Sequence, residues 1–505
     1  SDFVSVTDTP RATFGKHPWS IGGGGASDLK EALESGVGET LGDRADAMGF
    51  FQDTHADDVF VQPTAFFLRG NGRESTRACI RGDGVRDWSA SYDESIFFPY
   101  DEKIEQWRNV PDAPPLRWLW SFRTTLWSRS VFGGQTYRDV GRPWFDYHQF
   151  PRDRARAAFL IAFGEISTHN HFVLDRGGKV FNRTAPVIKL PAEATEDEHL
   201  GLLGLLNSSV ACFWLKQVCH NKGSTVDQHG ARQRTAPFED FYAFNSTKVA
   251  DFPLIDGRPL DLARRLDTLS SDRAATLPAA LLREGQPLPT RATLDAARRA
   301  AESLRQRMIA LQEELDWRGY RLYGLLPEGA AELEHPNPPE VRLGERAFEI
   351  VLARRMAEGK ERTTWFERHG STPITDIPAH WPADYRAAVE RRIELIEARD
   401  RAHARRSGFS RESELIVGGV AAKAAPTAAP TAAPTAAPTA VPTAVPTAAP
   451  TAAPTAAPAG AVGLIERPEY KRRWNTPSWA EQEEAALRDW LLARLESARY
   501  WPRGE

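Results

Sequence analysis

Several short strings carry residue types that could do chemistry, and spacing or composition tells against each. His169-Asn170-His171 places two imidazoles around an amide. Neighbours on a strand point to opposite faces, so these two cannot share one metal ion. The nucleases whose signature has the same letters take their residues from separated positions in a ββα fold. Asn337-Pro338-Pro339-Glu340 has the frame of an Asn-Pro-Pro-aromatic loop. That loop works by stacking a ring on a flipped base, and a glutamate in the fourth position cannot do so; the string reads as an ordinary loop. Glu469-Tyr470-Lys471 has a Glu-x-Lys order without the upstream Pro-Asp strand of metal nucleases. Cys212 and Cys219 lie two turns apart on an expected helix, too far for one ion. With Cys79 they are the only cysteines. A disulfide framework and a cysteine-type zinc site are therefore not expected, which fits a reducing cytoplasm. There is no P-loop, no Gly-x-Ser-x-Gly elbow and no His-Glu-x-x-His. The sequence supplies no catalytic, metal or cofactor-binding residues.

Binding chemistry is better represented. From Arg69 to Arg86 five arginines face two acids, and from Lys103 to Leu160 ten basic residues face five acids. Residues 1–58 have the opposite balance, four basic against eleven acidic. The positive charge is interleaved with Trp88, Trp107, Trp118, Trp120, Trp127 and Trp144. Arginines suit phosphates and guanine edges, and rings suit exposed bases. The bland alternative stays open: tryptophans in the core, arginines as a solvated face. On the nucleic-acid reading the leading candidates are Arg73, Arg77, Arg81, Arg117, Arg123 and Arg129, with Lys216 and Lys222 secondary.

The elements that must position these residues can be read from periodicity. Ser27 is expected to cap a helix through Leu29, Ala32 and Leu33, after Gly22–Gly25. Such a glycine run can hold an anion at a helix N-terminus or be a plain connector; no strand or GxGxxG spacing precedes it. β-rich stretches are expected at 59–68, 95–98 and 159–163. A hairpin is expected from His171–Leu174 through Asp175-Arg176-Gly177-Gly178 to Lys179–Phe181. Thr195 and Glu198 form a capping box opening a leucine-rich helix that continues to Val218. Leu294, Ala297, Ala301, Leu304, Met308, Leu311 and Leu315 step alternately by three and four, a three-heptad seam. It serves either a helix packed on its own chain or an intermolecular coiled coil. Another helix runs over about 383–405 with Val389, Ile393 and Ile396 inward. In the tail, Thr476 is the expected N-cap and Pro477 the first helical residue. Trp479, Leu487, Trp490, Leu491 and Leu495 are expected on one side.

From Ala424 to Pro458 the chain repeats Ala-Ala-Pro-Thr, and nine prolines fall in these 35 residues. A proline at every fourth position blocks helix and sheet alike, so an extended, disordered linker is expected. The expected class is α+β. A mixed α/β recognition domain at 1–255 is followed by a helical region at 256–420, a linker at 421–462 and a helical tail at 463–505. Over 505 residues, 64 basic groups against 68 acidic ones give a net charge of −4, which excludes nucleic-acid binding by bulk charge alone. No run of about 18 apolar residues is present, so no membrane span is expected, and the first residues lack a signal peptide's pattern. The expected location is the cytoplasm. The absence of an initiator Met suggests that the chain starts inside a longer protein.

Two stretches, Phe163–Ser167 to Phe172–Asp175 and Leu203–Lys216, resemble the target-recognition region of Eco57I-type adenine-specific DNA methyltransferases. Ala310–Trp317, Gly344–Ile350, Trp365–Gly370 and Leu464–Trp474 are similar to the BREX phage-defence methyltransferases of the phage-growth-limitation type. The likeness spans nearly the whole chain except the Ala-Pro-Thr tract. It implies a C-terminal recognition and helical part of an enzyme that flips an adenine and transfers a methyl group from S-adenosylmethionine to N6. The glycine-rich cofactor motif and the Asn-Pro-Pro-aromatic motif of that family do not occur here. The implied role is therefore recognition of double-stranded DNA. A methyltransferase catalytic domain would act upstream or in trans, S-adenosylmethionine belongs to the complete enzyme, and other defence-system subunits are further partners. The alternative is a non-catalytic scaffold bridging such subunits; an enzyme with an unrecognised site is the third reading.

Overall fold

The strand Leu160–Phe163 has no polar side chain, and the structure uses both of its faces. Side chains alternate across a strand. Ile161 and Phe163 enter one hydrophobic core, while Leu160 and Ala162 enter another. Its neighbours follow suit: Phe172 and Leu174 against Val173, and Ile188 against Val187. This computed structural model describes residues 11, 15, 26–35, 37–67, 75–106, 114–222, 241–282, 287–326, 333–407 and 477–495.

The shared sheet is antiparallel, in the order Phe172–Asp175, Leu160–Phe163, Val187–Lys189, Ala47–Gly49. A second four-stranded sheet has the order Lys179–Phe181, Thr76–Ile80, Glu94–Phe97, Val61–Pro63. Its inward residues, among them Cys79, Ile96, Val61 and Val180, meet Leu160, Ala162 and Val173 in the smaller core. The larger core lies on the other face of the first sheet, under the helices Glu196–Leu206, Ser209–Val218, Leu260–Thr276, Arg291–Leu322, Ala347–Ala357 and Ala383–Ser407. The fold is α+β, as the sequence indicates. The larger core runs across residue 255 without a break, so the regions on either side of it are packed together.

The expected hairpin at 171–181 is a correction. Its turn forms: Gly177 and Gly178 have φ of 89° and 83°, and Lys179 Nζ donates to Asp175 Oδ1 (2.5 Å). The flanking strands do not pair with each other. Phe172–Asp175 joins Leu160–Phe163 antiparallel, whereas Lys179–Phe181 joins Thr76–Ile80 parallel, in the other sheet. The turn thus carries the chain from one sheet to the other. At 59–68 a short helix, Asp57–Phe60, precedes a strand of only three residues.

The capping box is present: Thr195 accepts from Glu198 N and Glu198 from Thr195 N. The leucine-rich helix breaks at Asn207 instead of continuing. Asn207 Oδ1 accepts from Phe172 N (3.1 Å) and its Nδ2 donates to Phe172 O (2.9 Å), satisfying the edge of the sheet. Ser208 then caps a fresh helix. The first helix begins at Ala26, one residue before the expected cap.

The seam helix spans Arg291–Leu322, capped by Thr290, and packs on its own chain, chiefly on Leu260–Thr276. From Met308 to Trp317 it is buried all round, acids included. Each acid has a partner. Arg392 Nη2 donates to both Glu314 oxygens (2.7 Å each), and Arg392 Nε to Leu333 O (2.7 Å). Ser209 N donates to Asp316 (2.7 Å) and Ala347 N to Glu313 (2.9 Å). Nearby, buried Glu349 accepts from Arg346 (2.9 and 3.0 Å) and from Trp365 Nε1 (3.1 Å). Burial opposes its charge, but the Arg346 guanidinium prevails and holds the carboxyl below its usual range. Burial pushes Glu313 up, with Arg392 opposing the shift.

Trp88 ties the sheets to the helices. Its φ of 66° is unusual for a bulky residue. Its N–H donates to Phe172 O, its carbonyl accepts from Ser270 Oγ (2.8 Å) and its Nε1 donates to Gln312 (3.2 Å). In the tail, Ser478 and Glu481 form the capping box of Trp479–Leu495. The proposed cap Thr476, the Ala-Pro-Thr tract and Gly22–Gly25 lie outside the described residues. The tail helix packs on Pro278–Leu281, with Arg291 paired to Glu483. Leu487, Leu491 and Leu495, expected on one side, face solvent, and Ala486 and Ala493 are buried.

Candidate nucleic-acid interface

Residues 114–150 form an aromatic-rich unit set on the smaller core. Leu119, Leu126, Trp144, Phe145 and Tyr147 anchor it there. Two helices, Pro114–Ser121 and Arg123–Trp127, open it. What remains outside the core is a line of alternating rings and cations. The Arg123 guanidinium lies 4.0 Å from the Trp120 ring centre and 5.3 Å from that of Trp127. Arg138 also lies over the Trp127 ring, at 5.8 Å. Trp120 is 58% exposed. Neither Arg123 nor Arg138 is in an ion pair among the described residues; the Nε of Arg123 is itself buried without a hydrogen-bond partner. Stacking holds these cations in place while leaving their charge for a ligand. A guanidinium between indoles can meet a phosphate with its edge and a base with its face.

The sequence-predicted candidates separate on this geometry. Arg123 stands at the centre of the ladder. Arg129 is a correction: it is 8% exposed and its guanidinium donates to the carbonyls of Leu126 (3.1 Å), Thr54, Trp144 (2.7 Å) and Asp146 (2.8 Å). It cross-links the unit to the loop before Asp57–Phe60, and burial lowers its pKa. Arg81 forms a two-point ion pair with Glu94 in the next strand, which raises its pKa. Arg77 lies over Phe98 at 5.2 Å and donates to the Thr76 carbonyl (3.0 Å). Arg86 is buried, which brings its pKa down to about 10. The basic run before residue 86 is thus largely structural where it is described. Arg73 lies outside the described residues, and Arg117 is placed on the helix Pro114–Ser121.

Lys216 and Lys222 belong to a second neighbourhood. Lys216 Nζ sits 5.5 Å from the Tyr242 ring, and Lys222 is exposed, its N–H donating to Phe241 O (2.7 Å). Sequence reasoning missed Arg138. It lay in the counted basic stretch, but only the fold reveals that it faces Trp127. It also missed His55 and His148, whose rings stack with centroids 3.6 Å apart at 11°.

The decoys resolve as structure. Asn170 donates to Leu206 O (2.6 Å) and His171 pairs with buried Asp87 (2.9 Å). Asn337–Glu340 is a loop, with Glu340 accepting from Ser303. The three cysteines are buried and free. No group of three metal-ligating side chains occurs among the described residues, and no described helix is long and apolar enough to cross a membrane.

Residues 308–404 and 435–505 match the family described as "Domain of unknown function (DUF7008)". Over 99% of its length the chain is 40% identical to the adenine-specific methyltransferase PglX of Streptomyces coelicolor, and it covers 37% of that protein. Among solved structures, the type IIL restriction-modification enzyme MmeI in complex with DNA aligns over 58% of this chain and 34% of its own, at 12% identity and a TM-score of 0.33, too low to define a shared fold. The resemblance seen in the sequence holds: this chain is a relative of a region of a PglX-type adenine-specific methyltransferase.

Proposed function

We propose that this chain is the DNA-recognition part of an S-adenosylmethionine-dependent, adenine-specific (N6) DNA methyltransferase of a phage-defence or restriction-modification system. The 40% identity along the chain to such an enzyme supports the class of reaction. The Trp120–Arg123–Trp127–Arg138 ladder is the observation that carries the recognition role. Double-stranded DNA is the ligand, and a catalytic domain supplied upstream or in trans is the partner, working in the cytoplasm.

S-adenosylmethionine is held in that class of enzyme by a glycine-rich turn between a strand and a helix. The described residues do not fit it. Val187–Lys189 leads into Glu196–Leu206 through Leu190–Thr195, which has no glycine. Gly257, between Pro253–Leu254 and Leu260–Thr276, packs against Leu322, whose Cδ2 lies 2.5 Å from where a Cβ would stand. We infer that cofactor binding and methyl transfer belong to the rest of the enzyme.

Fluorescence anisotropy with a labelled duplex at several salt concentrations tests the reading. The expected result is binding whose logarithm falls linearly with log salt, by roughly 0.9 per phosphate contacted. A second reading, a subunit-bridging scaffold that engages other defence-system subunits, is favoured by one observation. Leu487, Leu491, Leu492 and Leu495 leave an apolar side of the tail helix in solvent. Retention of partner subunits by a chain that binds no DNA would put that reading ahead.

A further inference from the structure

Just before Arg138 the chain makes a narrow projection. Ser130 and Thr136 pair across its base, and Thr136 Oγ1 donates to Asp139 (2.7 Å). Between them, Val131 N donates to Gln135 O (2.8 Å) and Gly134 N to Val131 O (3.2 Å). Gly133 and Gly134 have φ of 103° and 83°, so the backbone there suits glycine. A Cβ built on either would meet nothing within 4 Å, so this tip stands clear of the body. Its one large side chain, Phe132, is 84% exposed.

Exposure of a whole phenyl ring on a hydrogen-bonded tip loses the hydrophobic stabilisation that burying it would bring. The ring's aromatic neighbour is His148 at 5.7 Å, which in turn stacks on the half-exposed His55. Burial, then the facing His55, lowers the His148 pKa, which favours a neutral ring. Asp53 holds the His55 backbone (2.9 Å) and is ion-paired with exposed Arg183 (3.9 Å). Arg138, two residues after Thr136 at the base of the projection, lies over the Trp127 ring at 5.8 Å. The unit that carries this ring, residues 114–150, has five arginines against two aspartates, and a lone projecting ring on a basic unit complements a charged ligand with apolar layers inside, which describes a stacked duplex.

Resting on the reading of this chain as a DNA-recognition module, we propose that Phe132 is a wedge that enters the base stack of duplex DNA and unstacks one step. Apolar side chains inserted in this way kink and unwind the duplex.

Unwinding can be read without knowing the target sequence. A nicked plasmid is ligated in the presence of the full 505-residue chain, and the topoisomers are resolved on a gel. The wild-type chain is expected to shift the linking-number distribution in proportion to bound protein. Phe132→Ala is expected to abolish the shift and weaken plasmid binding about tenfold, the order of one lost stacking contact. Phe132→Trp is expected to retain the shift. Both variants should melt like the wild type, since the ring is exposed. A plasmid that is bound with no topoisomer shift, or an Ala variant that shifts it fully, overturns the wedge and leaves the recognition role standing. A wild-type chain that binds no plasmid at any salt overturns both.

Discussion

Replacing Arg392 by methionine should cost the protein about 3–5 kcal/mol, the range for breaking one side of a buried ion pair. Arg392 is fully buried and gives Glu314 two hydrogen bonds of 2.7 Å, and it also satisfies the Leu333 carbonyl. Methionine fills much of the same volume, so the cost comes mainly from stranded charge. For a cooperative unit of about 400 residues, that loss lowers the melting temperature by about 4–6 °C. The pH dependence sharpens the test. Burial already raises the Glu313 carboxyl, and the nearby Arg392 charge opposes the rise. Without Arg392 the folded-state pKa of Glu313 rises further above the unfolded value. A raised folded pKa means that the folded state holds the extra proton, a contribution present at low pH and lost as pH climbs through that pKa. The deficit in Arg392→Met should therefore be smaller at pH 5 than at pH 8. Thermal melts of both proteins across that range decide the matter. A loss under about 1 kcal/mol, or a deficit that grows on acidification, would refute the reasoning.

Arg123→Ala should weaken binding to all duplexes alike and reduce the salt slope by about 0.9, if it meets a phosphate; anisotropy titrations at stepped salt read this. Arg129→Met should instead destabilise the fold by about 2–4 kcal/mol, since four carbonyls lose their donor, while the folded fraction keeps its DNA affinity. Gly82→Ala places a Cβ 2.2 Å from the Thr184 carbonyl oxygen and should cost about 1–3 kcal/mol in denaturant unfolding. Leu491→Gln, at a residue 51% exposed, should move stability by less than about 0.5 kcal/mol.

Local signals in the sequence translated well into local structure. The Thr195 and Glu198 box, the seam of the long helix and the inward Val389, Ile393 and Ile396 each depend on residues within a turn or two of one another. What escaped was set by distant partners. The Asp175–Gly178 turn is real, but which sheet receives Lys179–Phe181 is decided by Thr76–Ile80, a hundred residues earlier. The leucine helix breaks because Asn207 satisfies the edge of Phe172, which no helical periodicity encodes. The candidate site shows the same limit. Counting arginines cannot tell Arg129, consumed by carbonyls, from Arg123, held between indoles.

The strand Leu160–Phe163 feeds alternate side chains to separate cores, and this gives the protein an internal partition. Leu160 and Ala162 answer to the aromatic unit and the second sheet; Ile161 and Phe163 answer to the helices. A drifting surface on one side can be repacked around the first pair while the second pair keeps the helical side unchanged. Chimaeras between relatives that differ in the aromatic unit should therefore be cut through this sheet by face, each exchanged module taking every second residue with it.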